Sequence, residues 1–127
     1  MSKVITRKEY ERLPKPLEGM WLTDMQDMAD ELKERCVGEI PEVDELMAGL
    51  ISKAAKCLEE VEQRSDLNFL SYTYWACMEE AEKWDGIVHA EDEEELKTEA
   101  MLRTLVMTAW LWAIKNRIEE LGGKIEG

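Results

Sequence analysis

The sequence predicts an all-α protein, a helical bundle of about four helices behind an extended N-terminal arm. Apolar residues recur three and four positions apart in four segments, which is the spacing of one helix face. No segment alternates apolar and polar residues with the period of two that is typical of strands. Glycine, proline and capping residues separate the four segments. At 127 residues the chain is expected to form one domain, spanning 1–127.

Residues 1–20 are expected to form an extended basic arm, because five basic and two acidic residues fall within the first sixteen positions. Pro14 and Pro16 disfavour a helix through that point, since each fixes its own φ and restricts the residue before it. Two placements of the arm stay open. It packs along its own acidic body, anchored by Met20 and Trp21, or it reaches a neighbouring subunit.

The first two helices are predicted over residues 23–37 and 41–64. Thr23 and Gln26 have the spacing of a capping box, and Gly38 supplies a stop. Pro41 suits the first position of the second helix. The apolar residues of the second helix alternate in steps of four and three, the seam along which left-handed helix pairs pack. They are Val43, Met47, Leu50, Ala54, Cys57 and Val61.

Two further helices are predicted over residues 66–85 and 91–121. Ser65 or Asp66 caps the third helix, and Gly86 ends it. Because almost no loop separates the second helix from the third, we expect them to pack against each other as an αα-hairpin. The fourth helix opens on the carboxylate run 91–95, which the positive end of the helix dipole favours, and closes at residues 122–123.

Residues 105–114 are apolar all round the fourth helix apart from Thr108, although an outer helix of a bundle needs only one apolar stripe. Either this helix is central, or one of its faces is covered by the arm or by another chain. We favour self-association, because each helix of a simple four-helix bundle keeps an exposed side. Trp110 and Trp112 point about 200° apart, so at least one is expected to anchor an interface.

Eight methionines and five tryptophans are many for this length. They pack the core, or they line a groove between helices for a small molecule or a partner helix. The candidate interface residues are Met20, Trp21, Trp84, Met107, Trp110 and Trp112.

Charge, cysteine content and the lengths of apolar runs exclude several classes of partner and site. With 29 Asp and Glu against 16 Lys and Arg, the net charge of −13 disfavours direct contact with nucleic acid or an anionic membrane. The three cysteines are far apart, so we expect reduced core thiols and no zinc site. No apolar run is long enough to span a bilayer, and the first residues lack the apolar stretch of a secretory signal. A cytoplasmic location is therefore expected.

Four glutamates form a candidate metal site: Glu79, Glu82, Glu95 and Glu99. Spacings of three and four put each pair on one helix face. If the chain folds back between the third and fourth helices, the carboxylates would converge on Mg²⁺, a cation that prefers oxygen ligands.

Residues 58–63 (LEEVEQ) and 78–83 (MEEAEK) carry a motif known from one enzyme family. Each resembles the Glu-Glu-x-x-Glu element of the all-α nucleoside triphosphate pyrophosphatases of the MazG and dUTPase type, with the last glutamate displaced by one position. The second element, Glu-x-x-Asp, is missing, because Thr98 stands three residues after Glu95 and Leu102 three after Glu99. The resemblance covers residues 58–115 and implies a Mg²⁺-dependent pyrophosphatase that uses the glutamate cluster.

The favoured hypothesis is a non-enzymatic, acidic helical-bundle protein that self-associates and recognises a protein partner or sequesters a small ligand, as an inhibitor or accessory protein does. No catalytic residue is assigned, and no cofactor outside the Mg²⁺ of the alternative. The alternatives are the pyrophosphatase above and an acidic mimic of nucleic acid that binds a basic protein.

Overall fold

The computed structural model describes residues 3–14, 22–35 and 42–125, with side chains in the second range from Asp24 onward. Within these ranges the chain forms five helices and no strand, so the all-α prediction is confirmed. Gly38, Cys36 and the predicted end of the first long helix lie outside the described residues. The helices are α1 (Arg7–Arg12), α2 (Leu22–Arg35), α3 (Val43–Glu59), α4 (Leu67–Ala90) and α5 (Glu94–Glu120).

The helix α5 is central to the described fold. The helices α2, α3 and α4 all pack against it, and α1 packs on α4. Nine residues of α5 are buried, among them Trp110 and Ile114, which are fully enclosed. Within residues 105–114 only Trp112 is exposed. Most of the apolar run is therefore explained by contacts with the chain's own helices.

The predicted αα-hairpin between the second and third long helices is wrong. No Cα atom of α3 lies within 8 Å of a Cα atom of α4, because both helices turn their apolar faces to α5 instead. The intervening turn is held by Arg117 of α5, whose Nε donates to the carbonyl oxygen of Arg64 at 2.8 Å and whose Nη2 donates to Ser65 Oγ at 3.2 Å. These long-range bonds accompany the end of α3 at Glu59, ahead of the predicted residue 64.

The helix α4 continues past its predicted end at residue 85. Gly86 lies inside the helix and is exposed, and a Cβ atom added there would meet nothing within 4 Å. A helical glycine of this kind costs about 1 kcal/mol relative to alanine, which weakens a helix without ending it. The helix ends where Glu91 takes an extended backbone, φ −86° and ψ 133°. The next helix then begins at Glu94, later than the predicted residue 91.

The prediction of an arm that is extended over residues 1–20 is wrong for residues 7–12, which form α1. Thr6 Oγ1 accepts a hydrogen bond from the Glu9 N–H, and the Glu9 carboxylate accepts one from the Thr6 N–H, both at 3.2 Å. This capping box is visible in the sequence as Thr-x-x-Glu and would have predicted the helix. The helix stops because Leu13 precedes Pro14 and takes an extended backbone.

The described part of the arm packs along α4 of the same chain. The Ile5 N–H donates to Ser71 Oγ at 3.0 Å, and the Ile5 carbonyl accepts from Trp75 Nε1 at 3.0 Å. Tyr10 is buried and donates its hydroxyl proton to the Glu79 carboxylate at 3.0 Å. Ile5 and Tyr10 thus anchor this segment. The predicted anchors, residues 20 and 21, lie outside the described part of the chain.

Candidate functional site

One side of α5 is only partly covered by the other described helices and is largely apolar. Trp112 is 49% exposed and Met101 38%, and Leu105 and Thr108 between them are half-buried. Steps of four, three and four residues place these side chains in one line along the helix. We call Met101, Leu105, Thr108 and Trp112 the open face of α5. Two exposed apolar side chains joined along one line by two half-buried ones form a larger apolar surface than a single exposed side chain, and such a surface suits a contact.

The threonine within the open face does not make it polar. Thr108 Oγ1 donates to the Thr104 carbonyl oxygen at 2.8 Å, and Thr104 Oγ1 donates to the Ala100 carbonyl oxygen at 2.9 Å. Both hydroxyl groups are therefore satisfied inside the helix. What Thr108 offers a partner is its methyl group.

A cavity of about 180 Å³ lies beside Trp112. Four of its lining residues come from α5, namely Thr108, Leu111, Trp112 and Lys115, and Tyr74 of α4 closes one side. The ammonium group of Lys115 stands 5.4 Å from the centre of the Trp112 ring, which places the ring beside a cation. The four α5 residues have the spacing i, i+3, i+4 and i+7, which is the outline of the hole that receives a side chain from a facing helix.

The charges beyond the two ends of the open face balance. Glu94 and Lys97 continue the same side of the helix toward its N-terminus, and Lys115 and Glu119 continue it toward the C-terminus. Two lysines and two glutamates give this side of α5 a net charge of zero, whereas the chain as a whole carries −13. The open face is thus a neutral surface on a strongly acidic molecule.

Trp84, a predicted interface residue, lies against charged groups of its own chain. The Arg103 guanidinium carbon stands 5.2 Å from the centre of the Trp84 ring. Arg103 Nη2 pairs with Asp30 of α2 at 3.3 Å and with Glu99 of α5 at 3.2 Å. This cluster connects α2, α4 and α5, so Trp84 contributes to helix packing.

Two other predicted interface residues face the core. Met107 is 3% exposed and Trp110 fully buried, with Trp110 Nε1 lying 3.2 Å from the Met28 sulfur. This corrects their assignment to an interface, because a side chain enclosed by its own chain offers no surface to a partner. Met20 and Trp21 are outside the described residues. Of the six candidates, Trp112 is the one that the described structure leaves exposed.

The four predicted metal ligands do not come together. Glu79 accepts from Tyr10, and Glu82 pairs with Arg7 at 3.0 Å. Glu95 is exposed. In the described ranges no group of three or more histidine, cysteine, aspartate or glutamate side chains is placed to hold a metal ion.

The fourth predicted ligand, Glu99, is instead held as an anion by its own chain. It accepts a hydrogen bond from Arg103 and lies 3.6 Å from the Lys33 ammonium group, and these cations lower its pKa below the ordinary 4.5. Its carboxylate is therefore committed to the cluster that ties α2 to α5.

The two described cysteines are free thiols. Cys77 is buried with its Sγ 3.7 Å from the Met25 sulfur, and burial raises its pKa. Burial also raises the pKa of the half-buried Cys57. A thiol whose pKa is raised holds less of the reactive thiolate at neutral pH, so neither group has the setting of an activated nucleophile.

A second cavity, of about 290 Å³, lies between α3 and α5. Its apolar lining includes Ile51 and Ala113, and its charged lining is Glu59, Arg64, Arg117 and Glu120. Arg117 already donates to Arg64, Ser65 and Glu120. Arg117 of this cavity therefore serves the turn between α3 and α4.

Across the described ranges, no helix combines the length and the apolar character that a membrane crossing requires.

In comparisons with known proteins, no family model matches the chain, and neither does any curated protein or any solved structure.

Proposed function

We propose that this chain is a non-enzymatic binding protein that self-associates, and that the open face of α5 is its contact surface. The observation that carries the proposal is Trp112, a large aromatic side chain that is 49% exposed in line with Met101 and Leu105. Tryptophan is enriched among the few residues that dominate binding energy at interfaces. Its position beside a hole in the surface gives a partner side chain a place to insert.

Charge supports this face as a contact between copies. Two molecules that each carry −13 repel one another, and the repulsion is weakest where the approaching surfaces are neutral. The side of α5 that carries the open face has a net charge of zero. A second protein or a small apolar ligand remains a further occupant that the same surface suits.

The described polar clusters support a role without catalysis. Glu79, Glu82 and Glu99 each accept from a tyrosine, arginine or lysine of the same chain. Such pairs fix helices relative to one another, and in the described ranges no group of three or more potential ligands is placed to hold a metal ion. The geometry therefore adds no support to the Mg²⁺-dependent alternative.

The test is the solution mass of the protein and of two variants over a concentration series, by sedimentation equilibrium. The unmodified chain is expected to exceed the monomer mass as concentration rises. Trp112→Glu should remain a monomer, because it places a charge in the middle of the contact. Leu96→Glu is the matched control: Leu96 is 44% exposed on the same helix, about 24 Å away along the axis and on the opposite side. It adds the same charge and should associate as the unmodified chain does.

A monomer at every concentration of the unmodified chain would overturn the proposal. Equal loss of association in both variants would also contradict it, since the effect would then come from added charge and not from the open face.

A further inference from the structure

We propose that the second copy docks with its α5 antiparallel to the first, about a two-fold axis near Thr108, so that Leu105 of each copy enters the cavity beside Trp112 of the other. This inference rests on the proposed self-association and adds its direction and register. It follows from the shape of the cavity and from the order of charges along α5.

The position of the cavity limits the register between the two α5 helices. Its four α5 residues surround a point midway between Leu111 and Trp112, where a side chain of a facing helix inserts. Met101, which is exposed, and Leu105, which is half-buried against the chain's own core, are the aliphatic side chains of the open face, so the exposed part of each is a candidate for insertion. In an antiparallel pair related by a two-fold axis every contact occurs twice, so the side chain that inserts from one copy also inserts from the other.

Charge selects Leu105. If Leu105 inserts, Lys97 lies eight residues toward one end, and the same distance from the cavity centre leads to residues 119–120 of the partner, both glutamates. Opposite charges then face each other twice. If Met101 inserts, the register shifts by about one turn and Glu94 faces Glu119 of the other copy, which sets like charges together twice.

Charge also selects the antiparallel direction. A parallel two-fold pair places every residue opposite its own copy, so Lys97 faces Lys97 and Glu119 faces Glu119. In the antiparallel pair with Leu105 inserted, Lys97 of each copy instead faces Glu119 of the other, so both repulsions are replaced by attractions. This pair also brings Thr108 against Thr108, where the small methyl-bearing side chains allow the helices to approach.

Both charged groups are available for such a contact. In the described part of the chain, neither Lys97 nor Glu119 forms an ion pair, and both are exposed. Lys97 even stands near the N-terminus of α5 and Glu119 near its C-terminus, each at the end of the helix dipole that disfavours its charge. A partner charge across the interface would compensate for that placement.

The test is a charge-reversal cycle on the full chain, with the dissociation constant measured by sedimentation equilibrium. Lys97→Glu and Glu119→Lys are each expected to weaken association by about 2- to 30-fold, since two exposed ion pairs become two repulsions. The double variant is expected to restore the affinity of the unmodified chain. Both substitutions suit the helix dipole, so neither should unfold α5, and circular dichroism checks this directly. Lys56→Glu, on the exposed side of α3, is the control for net charge and should change the affinity little.

The outcomes separate this inference from the proposed function. If the unmodified chain associates and Trp112→Glu abolishes association, but the two reversals have no effect, the register is wrong and self-association stands. Weakening in both single variants without recovery in the double variant also overturns the register. A parallel pair predicts no loss in either single variant, because like charges would face each other before and after the change.

Discussion

The two tryptophans two positions apart on α5 should lose different amounts of stability on truncation. Trp110 is fully buried against α2, and replacing a buried aromatic side chain with alanine costs about 3–5 kcal/mol. Trp112 is 49% exposed, so about half of the 1.5–3 kcal/mol that full burial provides is at stake, or about 1 kcal/mol. Its contact with Lys115 adds about 0.5–1 kcal/mol at an exposed site. Trp110→Ala should thus cost two to three times as much free energy of unfolding as Trp112→Ala.

The assay is urea unfolding followed by far-ultraviolet circular dichroism, at a concentration where the protein is monomeric so that association does not add to the measured stability. A domain has about 5–15 kcal/mol of stability, so Trp110→Ala is expected to remove a large share of it. In the mass experiment the order should reverse, with Trp112→Ala impairing association. Equal losses of stability in the two variants, or a greater loss in Trp112→Ala, would refute the central placement of α5.

Three further predictions concern single groups. Tyr10→Phe should cost about 1 kcal/mol by removing the bond to Glu79; because burial and that bond raise the pKa of Tyr10 above its ordinary 10.0, the unmodified protein should lose stability as pH rises past 10.0, and the variant should lose less. Glu99→Gln should cost about 1 kcal/mol at neutral pH; since Arg103 lowers the pKa of Glu99, its contribution is present above pH 4.5 and is lost on acidification below it, so acid titration of stability should flatten in the variant. Gly86→Ala should raise stability by about 0.5–1 kcal/mol in urea unfolding, because the site is helical and open, and a decrease would show that an unseen contact needs the glycine.

The sequence predicts the helical class and most helix bodies, because apolar periodicity and caps are local signals. It predicts Ser65 or Asp66 as the cap of α4, and the structure shows the Asp66 carboxylate accepting from the amides of Asn68 and Phe69 at 3.0 and 3.3 Å. The apolar run on α5 correctly marks an unusual helix. Its first explanation, a central position, accounts for nearly all of the run in the described fold.

The predictions are wrong where tertiary contacts determine the end of a helix or the partner that it packs against. The seam of α3 continues to Val61 in the sequence, but the turn that follows Glu59 is held by Arg117, more than fifty residues away. No local pattern reveals that α3 and α4 lie apart, since heptad-like spacing is compatible with any helix partner. In the structure both helices pack against α5. The glutamates do not converge, and three of them instead contact cations or a hydroxyl donor of the arm, α2 and α5.

The candidate site was visible in the sequence only in part. Trp112 could be named as an anchor, but deciding between it and Trp110 requires knowing which side of α5 is covered. The hydrogen bonds of the Ile5 backbone with Ser71 and Trp75 have no signature in the sequence, because they join side chains of α4 to a segment without regular secondary structure. The short α1 did leave a pattern, the capping box, and could have been predicted from it.

The most direct test of the account is the environment of Trp112 as the protein concentration increases. Labelling the five tryptophans with a fluorinated indole gives a fluorine resonance for each, and Trp112→Phe assigns the one of interest. We expect the Trp112 resonance to move with concentration, in step with the rise in solution mass, while that of Trp110 stays in place. A Trp112 resonance that does not change while the mass increases would contradict the account, because the copies would then be meeting through another surface.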